Sequence, residues 1–97
     1  MVTCRDVIEI IEQFAPRDLA ADWDNIGLQV GDPTREIKSI LVTLDVTEDV
    51  LNEAISLGTG MIVSHHPLIF KPLKNIRSDN GIGKLIAKAL QADILIY

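Results

Sequence analysis

The 97-residue chain has the size of one small domain, and a domain of this size can bury only a modest core. Fourteen acidic residues against nine basic ones give a net charge of -5, which repels polyanions and argues against nucleic acid as a partner. No apolar run approaches the roughly 20 residues that cross a bilayer, and the single cysteine, Cys4, suits a reducing compartment, so we expect a cytoplasmic protein with no membrane partner.

The N-terminal segment has the pattern of an amphipathic helix. Thr3 is a candidate N-cap, and Asp6 follows it three residues later, as in a capping box. The apolar side chains from Val7 to Phe14 then recur at helical spacing. We expect Pro16 to end this helix, because proline cannot continue the hydrogen-bond ladder.

Two extended segments are predicted next. Residues 22–33, "DWDNIGLQVGDP", combine turn-forming residues with a short strand from Ile26 to Val30, and Trp23 is most simply a core residue. The run from Ile37 to Asp45 is nearly continuous in isoleucine, leucine and valine. Such a run is typical of a parallel strand that is covered on both faces.

A helix and a second buried strand follow. From Thr47 to Leu57 the apolar side chains fall on one helical face, and the first turn carries acidic residues that suit the helix dipole. Gly58 ends this helix, and Met61 to Val63 forms the next strand.

The last third of the chain repeats this order. Ser78, Asp79 and Asn80 are candidate caps for a helix that continues to Gln91, and Ile94 to Tyr97 supplies a third strand. The sequence therefore predicts a single α/β domain over residues 1–97. Its sheet is parallel, with an antiparallel strand at one edge as the alternative, and helices cover both faces. The β-α-β-α-β core follows a helix and a short strand.

The candidate functional residues lie at strand ends. His65 and His66, the only two histidines in the chain, follow the second buried strand and precede Pro67. Asp45 ends the first buried strand, which precedes the strand that carries the histidines. Because ligands of parallel sheets bind outside the carboxyl ends of the strands, these side chains belong to one candidate site.

Adjacent imidazoles suggest metal binding. On an extended backbone, His65 and His66 point in roughly opposite directions, so each would serve its own ion rather than share one. The alternative is that one histidine caps the loop while the other is packed or solvated. Asp45 either lines the rim of a pocket or, as the commoner role for such an aspartate, forms the N-cap of the helix that begins near Thr47.

Three stretches together resemble a known family. "DWDNIGLQVGD", "ILVTLDVT" and above all "SHHPLIF" are similar to the Nif-three-like family, which includes the bacterial GTP cyclohydrolase I type two homologues. The resemblance covers nearly the whole chain. Its most specific element is the histidine pair that follows a buried strand and precedes a proline.

The resemblance implies a metal-dependent hydrolase of unsettled small-molecule substrate, assembled as a ring-shaped homohexamer. His65 and His66 would be ligands in a dinuclear centre of two divalent ions, which could be zinc, iron or manganese. The other family ligands are an aspartate shortly after the strand that here ends at Tyr97, and a histidine and a glutamate near the C-terminus of the full-length protein. Asp93 is not that aspartate, because it precedes the last strand and so lies at the opposite edge of the sheet.

Two expectations follow from the resemblance. The chain is the N-terminal portion of a longer dinuclear-metal protein, and alone it should bind metal weakly or take ligands from another chain. An alternative function is a non-enzymatic metal-binding scaffold or regulatory oligomer, in which the metals are structural.

Overall fold

Alternating helices and strands build an α/β fold. The structure is a computed structural model that describes residues 1–15 and 25–97, so Pro16 and Trp23 lie outside the described residues. The elements in chain order are α1 Cys4–Phe14, β1 Ile40–Thr43, α2 Glu48–Leu57, β2 Met61–Ser64, α3 Gly81–Gln91 and β3 Leu95–Ile96. No helix in this part of the chain is both long enough and apolar enough to span a membrane.

The strands form a parallel sheet in the order β1-β2-β3. Ile40 of β1 lies beside Met61 of β2, and Met61 in turn lies beside Leu95 of β3. The connections through α2 and α3 return each following strand to the same direction, which confirms the predicted fold class. The carboxyl ends of all three strands therefore share one edge, and the histidine pair follows the central strand there.

Side-chain alternation along the strands divides the core between the two faces of the sheet. On one face α1 packs in a cluster of Cys4, Val7, Ile37, Met61 and Leu95. On the other face α2 and α3 pack in a cluster that includes Leu51, Ala54, Ile62, Ile86, Ala89 and Ile96. Helices thus cover both faces, as the sequence predicts.

Local signals set the helix ends. The Thr3 hydroxyl accepts a hydrogen bond from the Asp6 amide (3.3 Å), and the Thr3 amide donates to the Asp6 carboxylate (2.9 Å), which completes the predicted capping box. Gly58 ends α2 in the left-handed conformation (φ 69°), which glycine adopts without a steric penalty. Asn80 occupies the N-cap position of α3 but makes no side-chain capping hydrogen bond.

Two strand predictions differ from the structure. The segment from Ile26 to Val30 forms no strand, since only Val30 pairs, in an antiparallel bridge with Ile96 that covers the outer edge of β3. The apolar run before Asp45 contributes only the four residues of β1, which are half-buried or exposed rather than covered on both faces. The cause is the position of β1 at the sheet edge, because the α1 cluster contains residues of β2 and β3 but none of β1.

Candidate metal centre

The backbone of the histidine pair is fixed to the end of β1. The His65 amide donates a hydrogen bond to the Thr43 carbonyl (3.0 Å), and the His66 amide donates to the Leu44 carbonyl (3.0 Å). The Ser64 hydroxyl also donates to the His66 carbonyl (2.7 Å). The main chain that carries the two imidazoles is therefore held on both sides, although both residues are exposed.

Asp45 contacts His66 rather than capping α2. Its Oδ1 atom lies 2.8 Å from His66 Nδ1, which joins two positions 21 residues apart in sequence. The predicted N-cap role is wrong, because Thr47 occupies that position and its side chain accepts a hydrogen bond from the Val50 amide (3.2 Å). The assignment of Asp45 to the rim of a pocket stays a prediction, and the structure adds its contact with one of the two histidines.

The two imidazoles lie close together but in different surroundings. Their ring centroids are 4.9 Å apart and their planes meet at 64°, in an edge-to-face arrangement. The expectation of roughly opposite directions assumed an extended backbone, whereas the chain bends at residues 65 and 66 and brings the rings side by side. His65 lines a cleft, while His66 contacts Asp45.

The cleft lies at the carboxyl edge of the sheet, on the face covered by α1. Its volume is about 800 Å³. The side chains that line it beside His65 include Ile11, Val42, Leu44, Val63 and Tyr97. Mostly apolar walls with a few polar groups at one end are typical of a site that binds a small organic molecule.

Asn25 and Gln29 support the loop that follows the histidine pair. The Asn25 side-chain amide donates a hydrogen bond to the Ile69 carbonyl (2.7 Å), and the Ile69 backbone amide donates one to the Gln29 side-chain oxygen (3.2 Å). The Asn25 side-chain amide also donates to that Gln29 oxygen (3.1 Å). Sequence reasoning missed this role; the available signal was two amide side chains in an otherwise apolar stretch.

The described residues do not supply a complete metal site. Within residues 1–15 and 25–97, no three side chains of histidine, cysteine, aspartate or glutamate converge so that they could hold one ion. Imidazole is nonetheless a common donor for zinc and iron, and a carboxylate on the second ring nitrogen is the usual companion of a metal-binding histidine. The donor set at this edge therefore fits part of a metal centre, which needs further donors.

Comparison with known proteins adds a second kind of observation. The family model for Duf34/NIF3 (NGG1p interacting factor 3) matches residues 2–97. The chain is 45% identical to a GTP cyclohydrolase 1 type 2 homolog of Bacillus subtilis over 96 residues, which cover 99% of this chain and 26% of the relative. It is 43% identical to the Clostridium acetobutylicum protein of the same name over 93 residues, which cover 96% of this chain and 35% of the relative.

Solved structures give the same result. A Bacillus cereus protein related to NIF3 superimposes with a TM-score of 0.94 and 44% identity, over 100% of this chain and 27% of that one. Reduced HcgD from Methanocaldococcus jannaschii superimposes with a TM-score of 0.89 and 39% identity, over 99% of this chain and 38% of that one. The chain thus spans between about a quarter and two fifths of the length of the relatives it matches.

Proposed function

Since this chain belongs to the Duf34/NIF3 family, we propose that it supplies His65 and His66 to the dinuclear metal centre of a metal-dependent hydrolase. Each imidazole would hold one divalent ion, which could be zinc, iron or manganese. The observation that carries the proposal is the pair of neighbouring imidazoles, 4.9 Å apart, at the edge where a parallel sheet binds its ligands. Asp45 also contacts the Nδ1 atom of His66, and a ligating imidazole commonly has such a hydrogen-bond partner on its other nitrogen.

The substrate we propose is a nucleotide or another small ring-containing molecule. Two relatives carry the name GTP cyclohydrolase 1 type 2 homolog. The cleft beside His65 has room for such a ring, and its apolar walls would bind the ring and exclude water. Two divalent ions, when bound, acidify water and stabilise negative charge on a leaving oxygen.

The complete centre requires donors beyond those of the described residues. The chain spans 26% of the Bacillus subtilis relative, so the activity is proposed for the whole protein rather than for this part. We propose that the remaining ligands come from the rest of that protein or from another copy in a homohexamer. A cytoplasmic location stays a prediction from composition.

A metal-binding scaffold or regulatory oligomer is the second candidate. It is favoured by the exposure of two apolar side chains in the cleft wall, since Val42 is 78% and Leu44 67% exposed. Exposed apolar surface of that kind can mark a site of protein–protein interaction. Structural metal sites are closed, whereas catalytic ones keep an open position, so exchangeable water on the metal distinguishes the two candidates.

Elemental analysis tests the ligand assignment. The whole protein that contains this chain, purified without chelators, is compared with its His65→Ala and His66→Ala variants, and Lys71→Ala serves as an exposed control in the following loop. We expect metal in the unmodified protein and in the control, and its loss from both histidine variants. Metal that persists in both histidine variants would contradict the proposal. Metal-loaded protein that hydrolyses nothing in a panel of nucleotides and phosphoesters would contradict the hydrolase and favour the scaffold.

A further inference from the structure

The contact between Asp45 and His66 determines more than the position of one ring. We propose that Asp45 is a positioning residue, which fixes the tautomer of His66 so that Nε2 is the nitrogen left free to bind a metal. The inference rests on the proposed function insofar as it takes His66 to be a ligand. The tautomer itself is a property of the metal-free chain and can be measured separately.

The hydrogen-bond geometry decides where the imidazole proton lies. Asp45 Oδ1 and His66 Nδ1 are 2.8 Å apart, within the range of a charge-assisted hydrogen bond. An ionised carboxylate can only accept hydrogen bonds, so the proton of this bond belongs to Nδ1. In the neutral ring the free lone pair is then on Nε2, and only an unprotonated nitrogen can bind a metal.

Both ends of this hydrogen bond are anchored by the main chain. The His66 amide donates to the Leu44 carbonyl (3.0 Å), and the His66 carbonyl accepts from the Ser64 hydroxyl (2.7 Å). The Asp45 carbonyl accepts from the Thr43 hydroxyl (3.0 Å). These bonds fix the main chain at both Asp45 and His66. The carboxylate therefore holds the imidazole ring in one orientation.

His65 is a natural internal reference. Among the hydrogen bonds of the described residues, none involves the His65 ring. That ring contacts the His66 ring in the edge-to-face arrangement given above. Its tautomer is therefore not selected by a carboxylate. A change at Asp45 should alter the proton position in one imidazole and leave the other unchanged.

The solvent exposure of the Asp45–His66 pair distinguishes a positioning role of Asp45 from a role in folding stability. The His66 side chain is 59% exposed and that of Asp45 65% exposed, and such solvated pairs contribute little to folding stability. A second exposed pair, Arg35 with Asp93 (2.9 Å; 48% and 64%), lies near the opposite edge of the sheet. Asp93→Asn therefore removes the same charge from a pair of similar exposure and serves as the matched control for Asp45→Asn.

Long-range ¹H–¹⁵N NMR of the metal-free full chain tests the tautomer, at about pH 8 where ordinary imidazoles are neutral. Only two imidazoles contribute, and His65→Ala assigns them. We expect the Nδ1–H form at His66 in the unmodified chain and a mixture of tautomers in both Asp45→Ala and Asp45→Asn, because the asparagine amide can donate a hydrogen bond to Nδ1 as well as accept one from it. His66 with the same tautomer in Asp45→Ala as in the unmodified chain would overturn the proposal.

Zinc titration of the same proteins tests the consequence for binding. We expect Asp45→Ala and Asp45→Asn to weaken zinc binding by about 10- to 100-fold, and Asp93→Asn to leave it unchanged. Thermal unfolding should change no more in the Asp45 variants than in Asp93→Asn. Equal zinc affinity in the unmodified chain and in Asp45→Ala would overturn the proposal that Asp45 prepares His66 for metal binding. An unmodified chain with the Nδ1–H form at His66 but no zinc binding would confirm the tautomer and contradict zinc binding by this chain alone, whereas the function proposed for the whole protein is tested by the elemental analysis above.

Discussion

The capping box at Thr3 makes the stability of α1 depend on pH. The pKa of Asp6 is lowered, first by the hydrogen bond that its carboxylate accepts from the Thr3 amide and second by the Thr3 side-chain hydroxyl beside the carboxylate. A carboxyl group whose pKa is lower in the folded state stabilises the fold above its unfolded pKa of about 3.9, and this stabilisation is lost as the pH falls through the folded value. We therefore expect the stability advantage of the unmodified chain over Asp6→Ala to be complete near neutral pH and to shrink below about pH 4.

Urea unfolding, followed by circular dichroism from neutral to acidic pH, measures this advantage. Glu9→Ala, an exposed acidic residue of the same helix, is the control for loss of a charge. A difference between Asp6→Ala and the unmodified chain that stays constant over the whole pH range would show that the capping box does not depend on the ionised carboxylate.

Burial makes the Cys4 thiol unreactive. The residue is 0% exposed, and its pKa is raised first by burial and second by the nearby charge of Asp32. Because the thiolate is the reactive form, we expect a disulfide reagent to label the folded chain far more slowly than the chain in denaturant. A Cys4→Ala, Lys38→Cys variant, with its thiol at an exposed position, should react rapidly in both conditions. Equal labelling rates for folded Cys4 and the exposed thiol would contradict this prediction.

Single residues differ in how far the sequence predicts them. The Thr3 capping box was predictable because its partner is three residues away. The contacts of Asp45 with His66 and of Asn25 with Ile69 join residues 21 and 44 positions apart, so they depend on the assembled sheet. Sequence reasoning therefore selected the histidine pair but left Asp45 between a pocket-rim role and an N-cap role, and it did not predict the contact with His66.

Among the elements, α3 depends on a close approach at Gly83. A Cβ atom at this position would lie 2.6 Å from the Arg77 backbone nitrogen and even closer to the Arg77 carbonyl oxygen. The Arg77 side chain pairs with Asp79 (2.6 Å) within the segment that enters the helix. Alanine normally favours a helix over glycine by about 1 kcal/mol, so a loss of stability in Gly83→Ala would identify the close contact as the stronger effect.

We expect Gly83→Ala to lower the free energy of unfolding by more than about 1 kcal/mol. Urea unfolding measures it, and Gly60→Ala is the control, since its added Cβ would meet only the tip of Ile37 at 3.5 Å. A more stable Gly83→Ala protein would mean that the Arg77 segment moves aside without cost.

Helices were predicted more accurately than strands, for a physical reason. Helical hydrogen bonds and caps are local, so periodicity and Thr47 place α2 to within a residue. The length of a strand depends on its neighbours: β1 extends only as far as β2 pairs with it, from Ile40 to Thr43. An apolar run alone does not carry this information.

For the whole molecule, the sequence predicts the fold class better than it predicts the complete site. Alternating periodicities specify a parallel sheet, and the sheet specifies which edge carries the histidines. The proposed metal centre needs donors besides His65 and His66, because no three ligating side chains converge among the described residues. Neither composition nor pattern in these 97 residues can supply them.

The apolar surface beside β1 leads to a prediction about assembly. Ile40 and Val42 lie on the same face as Met61 and Val63, where α1 covers β2 and β3 but not β1. Val42 and Leu44 are 78% and 67% exposed there, and no described strand pairs with the outer edge of β1. Proteins that remain monomeric rarely leave an apolar face and a strand edge uncovered together, so we expect this surface to bury itself in self-association.

Sedimentation velocity over a range of protein concentrations tests this expectation. The unmodified protein should form oligomers, whereas Val42→Ser combined with Leu44→Ser should shift it toward the monomer, because the association loses its apolar contact area. Leu57→Ser is the matched control, since Leu57 is 65% exposed at the end of α2. It should leave the distribution unchanged. A monomeric unmodified protein would contradict self-association itself, and an unchanged distribution in the double variant would place the interface on another surface of the molecule.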